Sequence, residues 1–273
     1  MSILQKYIVS GFNGLSIYCK VTSTPVYNSE EKNHTISFGG KSNFCFTAII
    51  LATNPASCYI DRVEYNAACA VDGSLREKGN TVQLVQLALW TIVSKFPNVE
   101  RFTLFDDSYL DCTEGSKLDK LSLSHDYVLK YNQTWYQRNF SAELDMSHAT
   151  EFTTSLKVLD QPLEPFDNVV LHRDSLKPFR GEYNHANTPR EFMNALRGPD
   201  YCFKVGKWIE QYMKYLGVSM FKEGWFIRRE AVGTPPNYSI EKTHNTLRGG
   251  FTRKTKRRNF SLGPHNSAGG YNN

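Results

Sequence analysis

The residues best suited by type and spacing to do chemistry begin with Arg76-Glu77-Lys78-Gly79-Asn80-Thr81, a charged, glycine-bearing turn directly before a strongly apolar helical pattern. Backbone N–H groups of such a turn, with the positive end of the following helix, hold a phosphate or pyrophosphate. With no ligand the same residues serve as a plain turn with Asn80 as N-cap. Tyr127 and Tyr131, four residues apart, are phenols that could serve as general acids, and tyrosines so placed also pack a core with the hydroxyl at its rim. Asp106, Asp107 and Asp111 follow a strand pattern and would suit a hard cation. No His or Glu accompanies them at ligand spacing, and Asp is a common turn former, so no metal is expected there. The histidines (34, 125, 148, 172, 185, 244 and 265) show no ligand spacing, and no catalytic residue is assigned. In "RGGFTRKTKRR" the cations Arg248, Arg253, Lys254, Lys256, Arg257 and Arg258 alternate with flexible glycines and an aromatic, which suits phosphates or an acidic protein surface as well as a solvated tail.

The elements that must position these groups are legible in outline. "QKYIVSGFNGLSIYCKV" reads as two antiparallel strands around a Phe-Asn-Gly turn, and "HTISFGG", "NFCFTAIILAT" and "CYIDRVEYN" continue an antiparallel meander. From Thr81 the period changes: Val82, Val85, Leu89, Ile92, Val93 and Phe96, with Leu84, Leu87 and Ala88, predict a helix buried on much of its surface and stopped by Pro97-Asn98. "VERFTLFDD" is then a strand, so strands 58–66 and 99–105 are expected as near-parallel neighbours in a βαβ unit. Ser124 is the expected N-cap of a short helix carrying Tyr127, Val128 and Tyr131, followed by the aromatic cluster Trp135, Tyr136 and Phe140. Residues 145–190 read as a long irregular surface connection. "REFMNAL" and "YCFKVGKWIEQYMKYLG" are helical, the latter as one element capped by Gly217, and "SMFKEGWFIRRE" is a strand.

At 273 residues, with 40% hydrophobic, 13% aromatic and 22% charged residues, the chain can bury a sizeable core. Its longest apolar run, Cys45 to Ala52, is far too short to span a bilayer, and the N-terminus has no signal-peptide pattern, so a protein that is neither membrane-spanning nor secreted is expected. Cys19, Cys45, Cys58, Cys69, Cys112 and Cys202 form no C-x-x-C pair and are expected as reduced, buried thiols of a cytosolic compartment. The net charge of +5 is concentrated in residues 237–273, which carry +6 and leave the rest at −1. That stretch is polar, Gly- and Asn-rich and aperiodic, and cannot build a core of its own. The expected organisation is a body over 1–236, with a core at 40–145 and a helical addition at 188–230, and a basic extended arm over 237–273.

"REKGNT" between a strand and a helix resembles the acetyl-CoA-binding turn [QR]-x-x-G-x-[GA] of GCN5-related N-acetyltransferases, which stands at the same junction. Arg76 and Gly79 match by position, and Thr81 stands where the family has a small residue. The resemblance extends over roughly residues 40–145 and implies an α/β (α+β) fold with a mixed, largely antiparallel sheet and flanking helices, with acetyl-CoA as the cofactor if Arg76, Gly79, Asn80 and Thr81 still bind one. A further resemblance is to uncharacterised proteins of large nucleocytoplasmic DNA viruses, which read "LEKGxGT", "FxLxDxSxxxC" and "LSxxYxLxYGKTWYExxF". Here the matching stretches are "REKGNT", "FTLFDDSYLDC" and "LSHDYVLKYNQTWYQRNF", with Asn132-Gln133 in place of Gly-Lys. With Thr81 in the phosphate turn and the basic arm, the viral resemblance leads to the expectation of a non-enzymatic minor capsid component with an acetyltransferase-like body. Its partners would be other capsid proteins, reached partly through the arm, and its place the virion after synthesis in the host cytoplasm. The alternatives are an acetyl-CoA-dependent N-acetyltransferase and a nucleic-acid-binding protein acting through the tail, the latter with steep salt dependence.

Overall fold

A computed structural model describes residues 2–10, 15–40, 43–64, 69, 80–114, 117–169, 176–233 and 238–243. The fold is α+β: a largely antiparallel sheet with flanking helices, as the sequence predicts. The chain divides into Met1–Thr243 and His244–Asn273, and the cationic residues Arg248, Arg253, Lys254, Lys256, Arg257 and Arg258 lie outside the described residues.

The sheet starts as the expected meander. β1 (Ile3–Ser10), β2 (Ser16–Pro25), β3 (Lys32–Gly39), β4 (Phe44–Ile50) and β5 (Ser57–Val63) pair antiparallel in sequence order. The Phe12-Asn13-Gly14 turn lies outside the described residues, but Ser10 pairs with Ser16 across it. α1 (Asn80–Lys95) then carries the chain to β6 (Arg101–Leu104), which lies parallel to β5 with Ser57 opposite Arg101 and Ile60 opposite Leu104. β7 (Tyr109–Glu114) and β8 (Lys117–Ser122) form a separate hairpin. β9 (Glu143–Leu144) and β10 (Trp225–Arg228) extend the main sheet beyond β6, and β11 (Ser239–Lys242) closes the opposite edge against β1. Ser239–Lys242 therefore belong to the sheet and not to the arm.

Directly opposed residues share a face of a sheet, so the register sorts the side chains. Val21, Ile36, Ala48, Ile60, Leu104, Trp225 and Leu144 form one continuous buried row across the strands. α1 covers this face over β3 and β4, burying Leu84, Val85, Leu87, Ala88, Leu89 and Ile92, as its wide apolar arc predicts. The reverse face carries the row Leu4, Thr22, Thr35, Ile49, Tyr59, Thr103, Phe226 and Glu143, and no side chain in that row is buried.

The second layer is helical: α2 (Leu123–Tyr131), α3 (Trp135–Phe140), α4 (Met146–Ser155), α5 (Arg180–His185), α6 (Pro189–Ala195), α7 (Tyr201–Gly206) and α8 (Ile209–Tyr215). The described part of 145–190 is thus not the expected surface loop. α4, α5 and the 3-10 turns at 156–160, 166–168 and 177–179 bury Phe152, Leu156, Leu159, Phe166 and Tyr183. The single helix expected over 201–217 is broken at Lys207-Trp208. At the end of α7 Gly206 presses on β8, where an added Cβ would sit 2.6 Å from the Lys120 carbonyl oxygen. Gly217 does cap α8, in the left-handed region at φ 76°, with its N–H bonded to Lys214 O and that of Val218 to Met213 O.

The cysteines depart from expectation. Cys45 and Cys69 are joined, as are Cys112 and Cys202, with Cα separations of 5.6 and 5.4 Å; Cys19 and Cys58 are buried free thiols. Separations of 24 and 90 residues match no local motif, so sequence spacing could not reveal these pairs, which form only once β4 and the hairpin are in place. Cys112–Cys202 fastens the hairpin to α7.

Candidate functional site

In sequence the phosphate-turn candidate falls between β5 and α1. Arg76 and Gly79 lie outside the described residues; Asn80 opens α1, and Thr81 is half-exposed in its first turn. No acidic residue occupies that turn, so nothing in it offsets the positive end of a 16-residue helix. The opposite end is capped tightly: the Arg229 guanidinium donates to the carbonyls of Pro97 (2.6 Å), Val99 (2.9 Å) and Val93 (3.3 Å), holding the helix exit against β10.

A buried polar cluster lies past the end of β6, where Asp106 is 2% exposed. Its N–H bonds Lys222 O at 2.8 Å, and its Oδ1 accepts from the Ser108 hydroxyl at 2.6 Å, while Oδ2 has no partner among the described residues. Burial raises the pKa of this carboxyl. Asp107 instead faces solvent and pairs with Lys222 at 2.5 Å. Leu123 N–H bonds Ser108 O, docking the start of α2 on this loop. Ser122, not Ser124, occupies the N-cap of α2, and its hydroxyl caps nothing. It bonds His125 Nδ1 at 2.6 Å and Ser124 Oγ at 3.0 Å. His125 is buried, and desolvation, helped by Lys222, lowers its pKa to about 4, so the imidazole is neutral near pH 7.

Tyr127 and Tyr131 lie on one side of α2 with ring centroids 5.3 Å apart, and both are half-buried. Arg138 and Lys130 stand over the Tyr131 ring at 3.9 and 4.8 Å. Burial, followed by the Tyr131 and Asp126 charges, raises the Tyr127 pKa, so that phenol keeps its proton at neutral pH. Among the described residues no group of three or more His, Cys, Asp or Glu side chains could hold a metal; Asp106 is buried and Asp111 is exposed on the hairpin.

The remaining polar groups of α2 fasten it to the helical layer, which no sequence signal indicated. Asp126 Oδ1 accepts from Arg197 at 2.9 Å and from the Tyr201 hydroxyl at 2.8 Å. Arg190 donates to the carbonyls of Val128 (3.1 Å) and Leu129 (2.5 Å), to Asn132 Oδ1 and to Asp160 (2.7 Å). Asn132 ends α2 in the left-handed region, at φ 57°. Thr134 and Gln137 form a reciprocal capping box that starts α3 and sets Trp135, Tyr136 and Phe140 into the core as the expected aromatic cluster. Comparison with protein-family models, with curated proteins and with solved structures finds no match to this chain.

Proposed function

We propose that this chain is a non-enzymatic structural protein of a virion, a minor capsid component whose acetyltransferase-like body binds neighbouring capsid proteins, partly through the basic arm. The observation that carries the proposal is the use to which the virus-like strings are put. In "FTLFDDSYLDC", Phe102 and Leu104 are core, Asp106 and Ser108 shape the exit loop, and Cys112 is in a disulfide. In "LSHDYVLKYNQTWYQRNF", Asp126 anchors Arg197, just past α6, and Tyr201 of α7, Asn132 ends a helix where the virus proteins have glycine, and Thr134 starts the next. Glycine at that position is what a left-handed helix end favours, so the substitution preserves a backbone role. Disulfides that persist also suit a particle exposed to oxidising surroundings. In this reading the protein is made in the host cytoplasm and ends in the particle. Its presence in purified particles at a fixed ratio to the major shell protein is the expected result; presence only in infected-cell extract contradicts it.

A second reading is acetyl-CoA binding at Arg76, Gly79, Asn80 and Thr81. It is favoured by the parallel β5–β6 pair and by the first turn of α1, which carries no acidic residue. Titration calorimetry separates the two readings: micromolar acetyl-CoA affinity that Gly79→Trp abolishes favours the cofactor, and no heat of binding favours the structural role.

A further inference from the structure

The reverse face of the main sheet, which no described helix covers, carries charges in an arrangement that the fold alone does not favour. Lys6 of β1 stands directly opposite Lys20 of β2, and Arg101 of β6 directly opposite Arg228 of β10. Like charges in direct cross-strand register destabilise a sheet. The Arg228 charge is answered by Glu143 at 2.8 Å, and Arg62 pairs with Glu64 at 3.5 Å. Glu241, opposite Ile8, is a further carboxylate on this side. The two cation pairs sit on strands separated by four inter-strand steps from β2 to β6, about 19 Å.

Between and beside them the face is aromatic and rich in hydroxyls. Tyr59, with 42% of its surface exposed, lies mid-row between Ile49 and Thr103, with Phe226 on the far side of Thr103 and Phe105 just beyond the end of β6. Cations already sit over two of the rings, Arg228 over Phe226 at 5.3 Å and Lys20 over Phe44 at 5.8 Å. Thr22, Thr35, Ser37, Thr47 and Thr103 supply hydroxyls along the intervening strands.

We infer that this face binds single-stranded nucleic acid, with phosphates at the Lys6–Lys20 and Arg101–Arg228 pairs and bases stacked on Tyr59 and Phe226. Open sheet faces that pair aromatic platforms with flanking cations bind unstacked bases in this way. A second copy of the chain fits less well. A second copy docked through this face would bring the same lysines and arginines to it again, whereas a polyanion brings none. The inference does not depend on the virion reading, since it concerns a different surface and a different readout.

Fluorescence anisotropy of a labelled 20-nucleotide oligouridylate with the full-length chain tests it, alongside Tyr59→Ala and the double variant Lys6→Glu, Lys20→Glu, both at exposed or half-exposed positions. Thermal melting confirms that each is folded. Tyr59→Ala is expected to weaken binding about ten-fold with the salt slope unchanged, as loss of one stacked base does. The double charge variant is expected to weaken binding and flatten the log–log salt slope by about two. Affinity unchanged in both variants, or no binding by the wild type, overturns the inference. Equal competition by polyglutamate with Tyr59→Ala silent would assign the face to an acidic protein instead, and a sedimenting dimer that Tyr59→Ala dissociates would assign it to a second copy.

Discussion

Asp126 is 8% exposed and receives both Arg197 and Tyr201, so its removal leaves a guanidinium and a phenol without their acceptor inside the helical layer. Asp126→Ala is expected to cost about 2–3 kcal/mol, and Tyr201→Phe about 1 kcal/mol, read as shifts in the urea midpoint. The two buried titrating groups past β6 make opposite contributions to pH dependence. His125 has a depressed folded pKa, so as pH falls from about 6.5 towards 4 the unfolded chain takes up the proton and the native one does not; stability drops by roughly 3 kcal/mol across that window. Asp106 has a raised folded pKa, so its stabilising contribution is present at low pH and is lost as pH rises through that value. His125→Asn should flatten the acid limb of a stability-against-pH curve, and Asp106→Asn should flatten the limb above the ordinary carboxylate range. A curve unchanged by either substitution would contradict the burial described. In the sequence these residues carried only partial signals: Asp106 with Ser108 two residues on reads as a turn, but the partners of Asp126 lie more than 70 positions away and leave no local trace.

The elements themselves were legible wherever one face meets one core. The meander strands alternate, α1 has a wide apolar arc, and the parallel return of β6 follows from the helix between the strands. Legibility fails where short helices contribute one or two buried residues each, as with Phe152 in α4 and Tyr183 in α5, because so brief a period cannot be told from a loop. It fails again at Lys207-Trp208, where contact with β8 and not helix propensity ends α7. Gly206→Ala should therefore lower stability even though alanine is the better helix former, because its Cβ meets backbone that cannot swing aside. The Cys112–Cys202 bond closes a separation of 90 residues, and Cys112→Ser with Cys202→Ser is expected to cost up to about 4 kcal/mol. Alkylation of the folded, unreduced protein should modify none of the six cysteines; denaturation without reductant should expose Cys19 and Cys58 alone.

At the scale of the body, the described residues cover the sheet on one face and leave the other open, and its edges are blunted by short strands, β9 with two residues and β11 with four. The limit of the body is the point on which structure refines the sequence reading most. Ile240 pairs with Val9, and the Tyr238 hydroxyl meets Thr91 on α1 at 2.6 Å, so removing 237–273 would strip an edge strand as well as the arm. Sequence could not show this, because "YSIEK" is short and polar enough to read as tail. The discriminating truncation follows Thr243 and deletes only 244–273. The most direct measurement is quantitative mass spectrometry of purified particles made with the full-length chain and with this truncation. The full-length chain is expected at a fixed ratio to the major shell protein, and the truncated chain, still folded, at a strongly reduced one. Absence of the full-length chain from particles would contradict the structural role.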